Sequence, residues 1–240
     1  MKKTLLFVLA SFLFSCSSDD GFVDANGNVA KKYITKTITT GNGNSNISTV
    51  TYDENKRVLT ASNADEVKYF TYNGDGSLNK ISGGGQNLFS SEIMGTIHEA
   101  YEIGDILEYD SNGNPTVLEL YEDDYWTGER YTYTATITYD NKPFAFYYTL
   151  DAAGIISVLN NTQLSFSSVP SSPAIIMAKL LLPVNNPVRA VIKGESNNEV
   201  SRINVSYTYT ADNYPTSSTV VVIGEDGDVE QYNVTYEYLQ

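Results

Sequence analysis

The sequence predicts a mainly β fold: an antiparallel meander of repeated hairpins forming a curved sheet or partly closed shell, with one or two short helices. Three observations predict it. A seven-residue turn frame recurs along the chain, the segments beside it alternate apolar and polar residues, and the composition is rich in Tyr (19 residues) and Gly (17). Aromatic and β-branched residues fit pleated, half-buried strands, and Gly fits tight turns.

The first segment is an address rather than part of the fold. Lys2 and Lys3 form a basic start, and residues 4–14 form an apolar run. That run is too short for a spanning helix, which needs about 20 apolar residues. It ends in Leu13-Phe14-Ser15-Cys16, and Cys16 is the one cysteine of the chain. This junction resembles the lipobox of bacterial lipoproteins, although Phe14 is bulkier than that pattern prefers. The resemblance implies a signal peptide over residues 1–15 and a lipid-modified Cys16 as the membrane anchor. Residues 16–21, Cys-Ser-Ser-Asp-Asp-Gly, then form an acidic tether. The tether resembles the export signal of surface lipoproteins in Bacteroidetes-type bacteria, which implies an outer-membrane protein exposed at the cell surface.

Residues 22–240 are expected to form one β-rich repeat domain. The turn frame reads: Tyr or an apolar residue, Asp or Asn, two free positions, Gly, one free position, then an apolar residue or Pro. Copies stand at residues 23–29, 52–58, 72–78, 109–115 and 150–156, with looser ones at 209–215 and 223–229 and a shortened relative at 139–144. The spacing has a mechanical cause. A three-residue hairpin loop is a type I turn followed by one residue in the left-handed region. An Asp or Asn opening it accepts backbone N–H groups, and Gly takes the positive φ without a Cβ penalty. Gly27, Gly76, Gly113, Gly154 and Gly227 are therefore expected at hairpin tips. Asn213 is the next-best residue for that conformation, and Lys56 fits it poorly.

Residues 131–139, 205–209 and 232–238 alternate strictly, with Tyr, Val, Ala and Ile on one face and Thr, Ser, Asn and Glu on the other. Such strands belong to an antiparallel sheet with one wet face. Two stretches break the meander. Gly83-Gly84-Gly85 opens an insertion in which residues 88–97 are expected to include a short helix. Residues 174–182, almost wholly apolar and set between Pro173 and Pro183, have the composition for about two helical turns. They are expected to plug an open end or face of the sheet.

The Tyr52-Asp53 and Tyr72-Asn73 copies resemble the YD, or Rhs-type, repeats of bacterial cell-surface proteins. They are also similar to repeat-bearing Bacteroidetes lipoproteins of unknown function. The resemblance covers roughly residues 22–160 and 200–240 and implies an antiparallel meander coiling into a sheet or shell. Spacing between copies is irregular and the chain is short, so enclosure of a toxin is not implied.

Composition narrows the function classes. Fifteen Lys and Arg stand against 29 Asp and Glu, a formal charge of −14. A basic footprint for nucleic acid is missing. One Cys and one His give no Cys-based zinc site and little basis for a catalytic triad. His98 stands alone and is expected to be a packed or surface residue. The acidic tips 24/26/28, 110/112/114 and 225/226/228 do not complete a calcium-loop frame with its distal Glu. No catalytic residue, metal or cofactor is expected.

One hairpin stands out. Glu119, Glu122, Asp123 and Asp124 crowd a stretch that also holds Tyr121, Tyr125, Trp126, Tyr131 and Tyr133. Tyr121, Tyr125, Trp126 and Tyr131 are the candidate ligand platform, suited to a sugar ring or a partner surface, while core packing of the Tyr rows is the alternative. Three functional readings stay open. The leading one is a structural or binding module anchored at the outer membrane. The second is a glycan-binding accessory lipoprotein of an uptake system, and the third is a glycosidase-type enzyme.

Overall fold

A computed structural model describes residues 20–100, 104–124, 126–166 and 175–240. The signal segment, Cys16 and Tyr125 lie outside them. The N-terminal half holds α1 (Asp20–Asn26), β1 (Ile34–Gly41), β2 (Asn44–Tyr52), β3 (Val58–Ser62), β4 (Val67–Tyr72), β5 (Leu78–Gly83), β6 (Gln86–Phe89), α2 (Ser90–Ile93) and β7 (Ile97–Glu99). Next come β8 (Gly104–Tyr109), β9 (Pro115–Asp123), β10 (Arg130–Pro143), α3 (Tyr147–Ala152), α4 (Ile155–Asn160) and β11 (Gln163–Ser165). The C-terminal part holds β12 (Ile175–Met177), a 3-10 turn at Ala178–Leu181, then β13 (Asn185–Lys193), β14 (Glu199–Tyr209), β15 (Pro215–Gly224) and β16 (Val229–Tyr238).

Thirteen strands form one antiparallel sheet in the order β6-β5-β4-β3-β2-β1-β16-β15-β14-β13-β10-β9-β8. The sheet is a meander folded back on itself. β1 starts near the middle and pairs with the C-terminal β16 through Ile34↔Tyr238 to Gly41↔Tyr232. β6 and β8 are its two free edges, so it does not close. A second sheet of three short strands, β12-β11-β7, lies outside it.

The turn frame forms as its spacing requires. In the copies at 52–58, 72–78, 109–115, 209–215 and 223–229, the second residue's N–H reaches the sixth residue's carbonyl. The fifth residue's N–H returns to the second carbonyl. Asp110 shows both, donating to Asn114 O at 3.0 Å and accepting from Gly113 at 3.1 Å. The fifth residue has positive φ each time: Lys56 62°, Gly76 88°, Gly113 84°, Asn213 66° and Gly227 81°. Lys56 thus takes the conformation despite its Cβ. A further copy unmarked in the sequence reading is the β13–β14 tip, where Asn197 (φ 61°) bonds to Gly194 O at 2.8 Å.

Three expected tips are something else. Gly27 (φ 67°) closes α1, its N–H reaching Val23 O at 2.7 Å. Gly154 (φ 73°) makes the corner between α3 and α4. Both keep the left-handed glycine, because a helix C-terminus asks for the same φ as this hairpin loop. The relative at 139–144 is an irregularity at the end of β10, where pairing with β13 jumps between Tyr139 and Pro143. The helix expected within 88–97 is the single turn α2. Of 174–182, the described residues are the strand β12 and a 3-10 turn rather than an α-helix. Ile175 and Ile176 pair with β11 instead, as β-branched residues do where a strand is at hand.

The core gathers at one end of the sheet. Phe22, Tyr147, Tyr148, Ile156 and Tyr214 form it, with Leu182, Val184 and Tyr238 packed against them. Phe22 stacks on Tyr147 with ring centroids 3.9 Å apart. The acidic tether expected over 16–21 therefore gives way at Asp20 to a helix whose third residue is core. Elsewhere much of the sheet buries little. No residue of β2, β4, β6 or the doubly paired β16 is buried. The β16 pattern alternates exposed with half-buried, as a strand with one wet face should.

Candidate functional site

Tip geometry sets the candidate site. β9 and β10 are joined by a turn in which Asp124 Oδ1 accepts the backbone N–H groups of Trp126 (2.8 Å) and Thr127 (2.7 Å). Gly128 (φ 70°) donates back to Asp124 O at 2.8 Å. These bonds hold the turn and leave the Trp126 side chain 89% exposed. An aromatic this exposed is not part of the core.

The register divides the other aromatics. Tyr131 stands opposite Glu122, and Thr132 opposite Tyr121. Directly opposed residues share a face and successive residues alternate, so Tyr121 and Tyr131 lie on opposite faces. The four-residue platform expected from the sequence is thus not one surface. On one face Arg130 forms a two-pronged ion pair with Asp123 (2.7 and 2.9 Å) and lies 5.2 Å from the Tyr121 ring centre. Tyr121 donates its hydroxyl to Glu119. On the other face Tyr133 donates to Glu122 at 3.0 Å, and Tyr131 is 40% exposed.

The carboxylates here are committed. Hydrogen bonding to Arg130 holds Asp123 below the ordinary carboxylate value, and the backbone N–H of Thr127 does the same for Asp124. A glycosidase acid needs the opposite shift. Tyr121 is pushed up to about 12, first by its bond to Glu119 and then by burial. The acidic tip at 110/112/114 is similarly occupied. Asp110 Oδ1 accepts from the N–H groups of Asn112 and Asn114 at 2.9 Å each. Among the described residues no group of three His, Cys, Asp or Glu is placed to hold a metal ion. His98, on β7, lies with Nε2 3.3 Å from Ile93 O and faces an apolar groove.

A buried amide network behind the tips escaped sequence reading. Asn114, Asn185 and Asn186 are essentially without exposure. Asn114 donates to Asn185 Oδ1 at 2.9 Å and accepts from the N–H of Val184 at 2.8 Å. Asn185 in turn donates to Asn26 at 3.0 Å. The network ties the β8–β9 tip to β13 and α1. Its partners are far apart in sequence, so no local pattern marks them.

No protein-family model matches the sequence, and no curated protein matches it. Among solved structures the chain is similar to a porin-like protein from Bacteroides vulgatus, with 10% identity and a TM-score of 0.44 over 87% of this chain and 99% of that one. A porin-like protein from Bacteroides uniformis shares 14% identity at a TM-score of 0.26, over 85% of this chain and 84% of that one. An outer membrane lipoprotein-sorting protein domain from Vibrio parahaemolyticus shares 8% at 0.26, over 93% and 94%. Likeness at these scores bears on neither activity nor ligand.

Proposed function

We propose that this chain is an outer-membrane lipoprotein, lipidated at Cys16 after loss of residues 1–15, that presents its sheet outward as a non-catalytic binding module. One observation carries the reading: strands such as β2, β4 and β16 hold no buried residue although each is paired on both sides, and the sheet carries a tip whose Trp126 is 89% exposed. The commitment of Asp123, Asp124 and Asp110 to ion pairs and turns supports binding over hydrolysis. The recurring tip frame supports kinship with YD-type surface repeats. Phase partitioning of the full chain tests the anchor. The wild type should enter the detergent phase and Cys16→Ala should fail to be processed. Normal processing with unchanged partitioning would sink the claim. The exposed indole also favours the glycan-binding reading, because a sugar ring stacks on such a surface.

A further inference from the structure

A polar cavity of about 250 Å³ lies where two hairpin tips meet the α3–α4 corner. The β2–β3 tip contributes Asn55, Lys56 and Arg57 to its lining, and the β4–β5 tip contributes Ser77. Asp151 of α3 and Ser157 of α4 complete its polar wall. These parts are tied together without a ligand. Tyr72, which also lines the cavity, donates its hydroxyl to Val58 O at 2.7 Å, and that hydroxyl lies 3.2 Å from Ala152 O at the end of α3.

Lys56 is the anomaly of the turn frame. The other hairpin copies carry Gly or Asn at its place, yet Lys56 takes φ 62° against the steric preference of a residue with a full side chain. Backbone strain of this kind clusters at sites where the side chain has work. Its ammonium is uncommitted. Among the described residues Lys56 forms no ion pair, and its Nζ lies 5.6 Å from the centre of the Tyr33 ring, on the cavity wall. Arg57 differs, because its Nε and Nη2 both hold Asp53 Oδ2, at 2.8 and 2.7 Å, while its guanidinium lies 4.9 Å from the Tyr72 ring centre. Asp151, the one carboxylate lining the cavity, already has a partner. On a chain of formal charge −14, this cavity therefore offers an unpaired positive charge.

The lining selects the ligand. One free ammonium matches one negative charge. Phosphate and sulfate are met best by a free guanidinium fork, and the Arg57 fork is spent on Asp53. The volume suits a single small ring, being below the roughly 300–1,000 Å³ that drug-sized ligands occupy. Lys56 and Arg57 already stand over the two tyrosine rings, so hydrogen bonds rather than stacking must hold that ring. The Asn55 amide, the Ser157 hydroxyl and the Asp151 carboxylate supply donors and acceptors for ring hydroxyls.

We infer that this cavity binds a uronic acid residue of a glycan, its carboxylate on Lys56 and its hydroxyls on Asn55, Ser157 and Asp151. The inference goes beyond the module reading and uses neither Trp126 nor the anchor at Cys16.

Titration calorimetry of the full chain with galacturonate and with glucuronate tests it. At least one should bind, and galactose and glucose, which lack the carboxylate, should bind about tenfold more weakly or worse. Lys56→Gly should weaken uronate binding by about tenfold or more while raising the melting temperature, so that lost binding is not lost folding. Ser157→Trp fills the cavity from the helical side and should abolish binding. Lys68→Gln removes the same charge from a lysine that pairs with Glu66 outside the cavity, and should leave binding within about twofold. Undiminished binding in Lys56→Gly and Ser157→Trp overturns the cavity. An equal loss in Lys68→Gln reduces the effect to net charge and overturns the role of Lys56. Galactose or inorganic phosphate binding as tightly as the uronate overturns the ligand class, and binding of neither uronate overturns the inference as a whole.

Discussion

Tyr72 donates its hydroxyl to the backbone carbonyl of Val58 at 2.7 Å. Tyr72 opens one copy of the turn frame and Val58 closes the copy before it, so the bond locks successive hairpins together. Tyr139, opening the shortened relative, bonds likewise to Pro115 O (2.8 Å), and Tyr238, which opens no copy, bonds to Pro215 O (2.7 Å). Where Tyr72 or Tyr139 opens the frame, its hydroxyl meets the carbonyl of a buried residue, which water does not serve. Removing the hydroxyl leaves that acceptor unpaired. Tyr72→Phe should therefore cost about 1–2 kcal/mol in urea unfolding. Tyr69→Phe, on the 52% exposed neighbour, should change stability by less than about 0.5 kcal/mol.

Alkaline pH should unfold the protein through these tyrosines. Burial pushes Tyr52 and Tyr72 up from the ordinary 10.0 to about 12, and raises Tyr139 and Tyr238 further. A raised native value favours the neutral phenol, so the stabilisation is complete below pH 10. Above it the unfolded chain loses protons that the native chain keeps, and stability falls as pH rises toward the native values. Phenols at the surface ionise without unfolding, so the check is on the remaining tyrosines: the last part of the tyrosinate absorbance should rise together with loss of strand signal above pH 10. Complete tyrosinate absorbance with the strand signal intact would show that the buried phenols titrate in the folded state.

Turn positions should separate backbone strain from crowding. Nothing lies within 4 Å of a Cβ built on Gly113, whose φ is +84°. Gly113→Val should cost about 1–2 kcal/mol and Gly113→Asn less, since only the left-handed φ is at issue. At Gly154 an added Cβ would also stand 2.8 Å from the Leu78 Cβ. Gly154→Ala should thus cost roughly 2–3 kcal/mol by thermal unfolding. Lys56 holds the same conformation at φ 62°, so Lys56→Gly should stabilise by about 1 kcal/mol.

The amide network should be costly to open. Asn185→Ala removes partners from buried Asn114 and from Asn26 together. A loss of about 2–4 kcal/mol is expected. A change below 0.5 kcal/mol would mean that water replaces the side chain.

Trp126 should report on ligand without reporting on folding. At 89% exposure its emission should be red-shifted and quenched by iodide, and Trp126→Ala should move stability by less than about 0.5 kcal/mol. A glycan array on the full chain should lose its hits in that variant. Hits that persist in Trp126→Ala would remove the indole from the site.

The local rules were legible in the sequence because their causes are local. The seven-residue frame specifies two backbone bonds and one positive φ, and those form whether the glycine ends a hairpin, as at Gly113, or a helix, as at Gly27. Alternation likewise determined the strands. What those residues pack against was decided by the tertiary structure. Val58 and Val229 hold the same place in the frame, yet Val58 is 1% exposed and Val229 63%. The difference is that α1, α3 and α4 cover one end of the sheet and leave the other bare. The aromatic hairpin divides in the same way: its tyrosines are visible in the sequence, but the pairing register sends Tyr121 and Tyr131 to opposite faces. A shift of one residue reverses a strand's faces. That register is held by partners across the sheet, which no local pattern specifies.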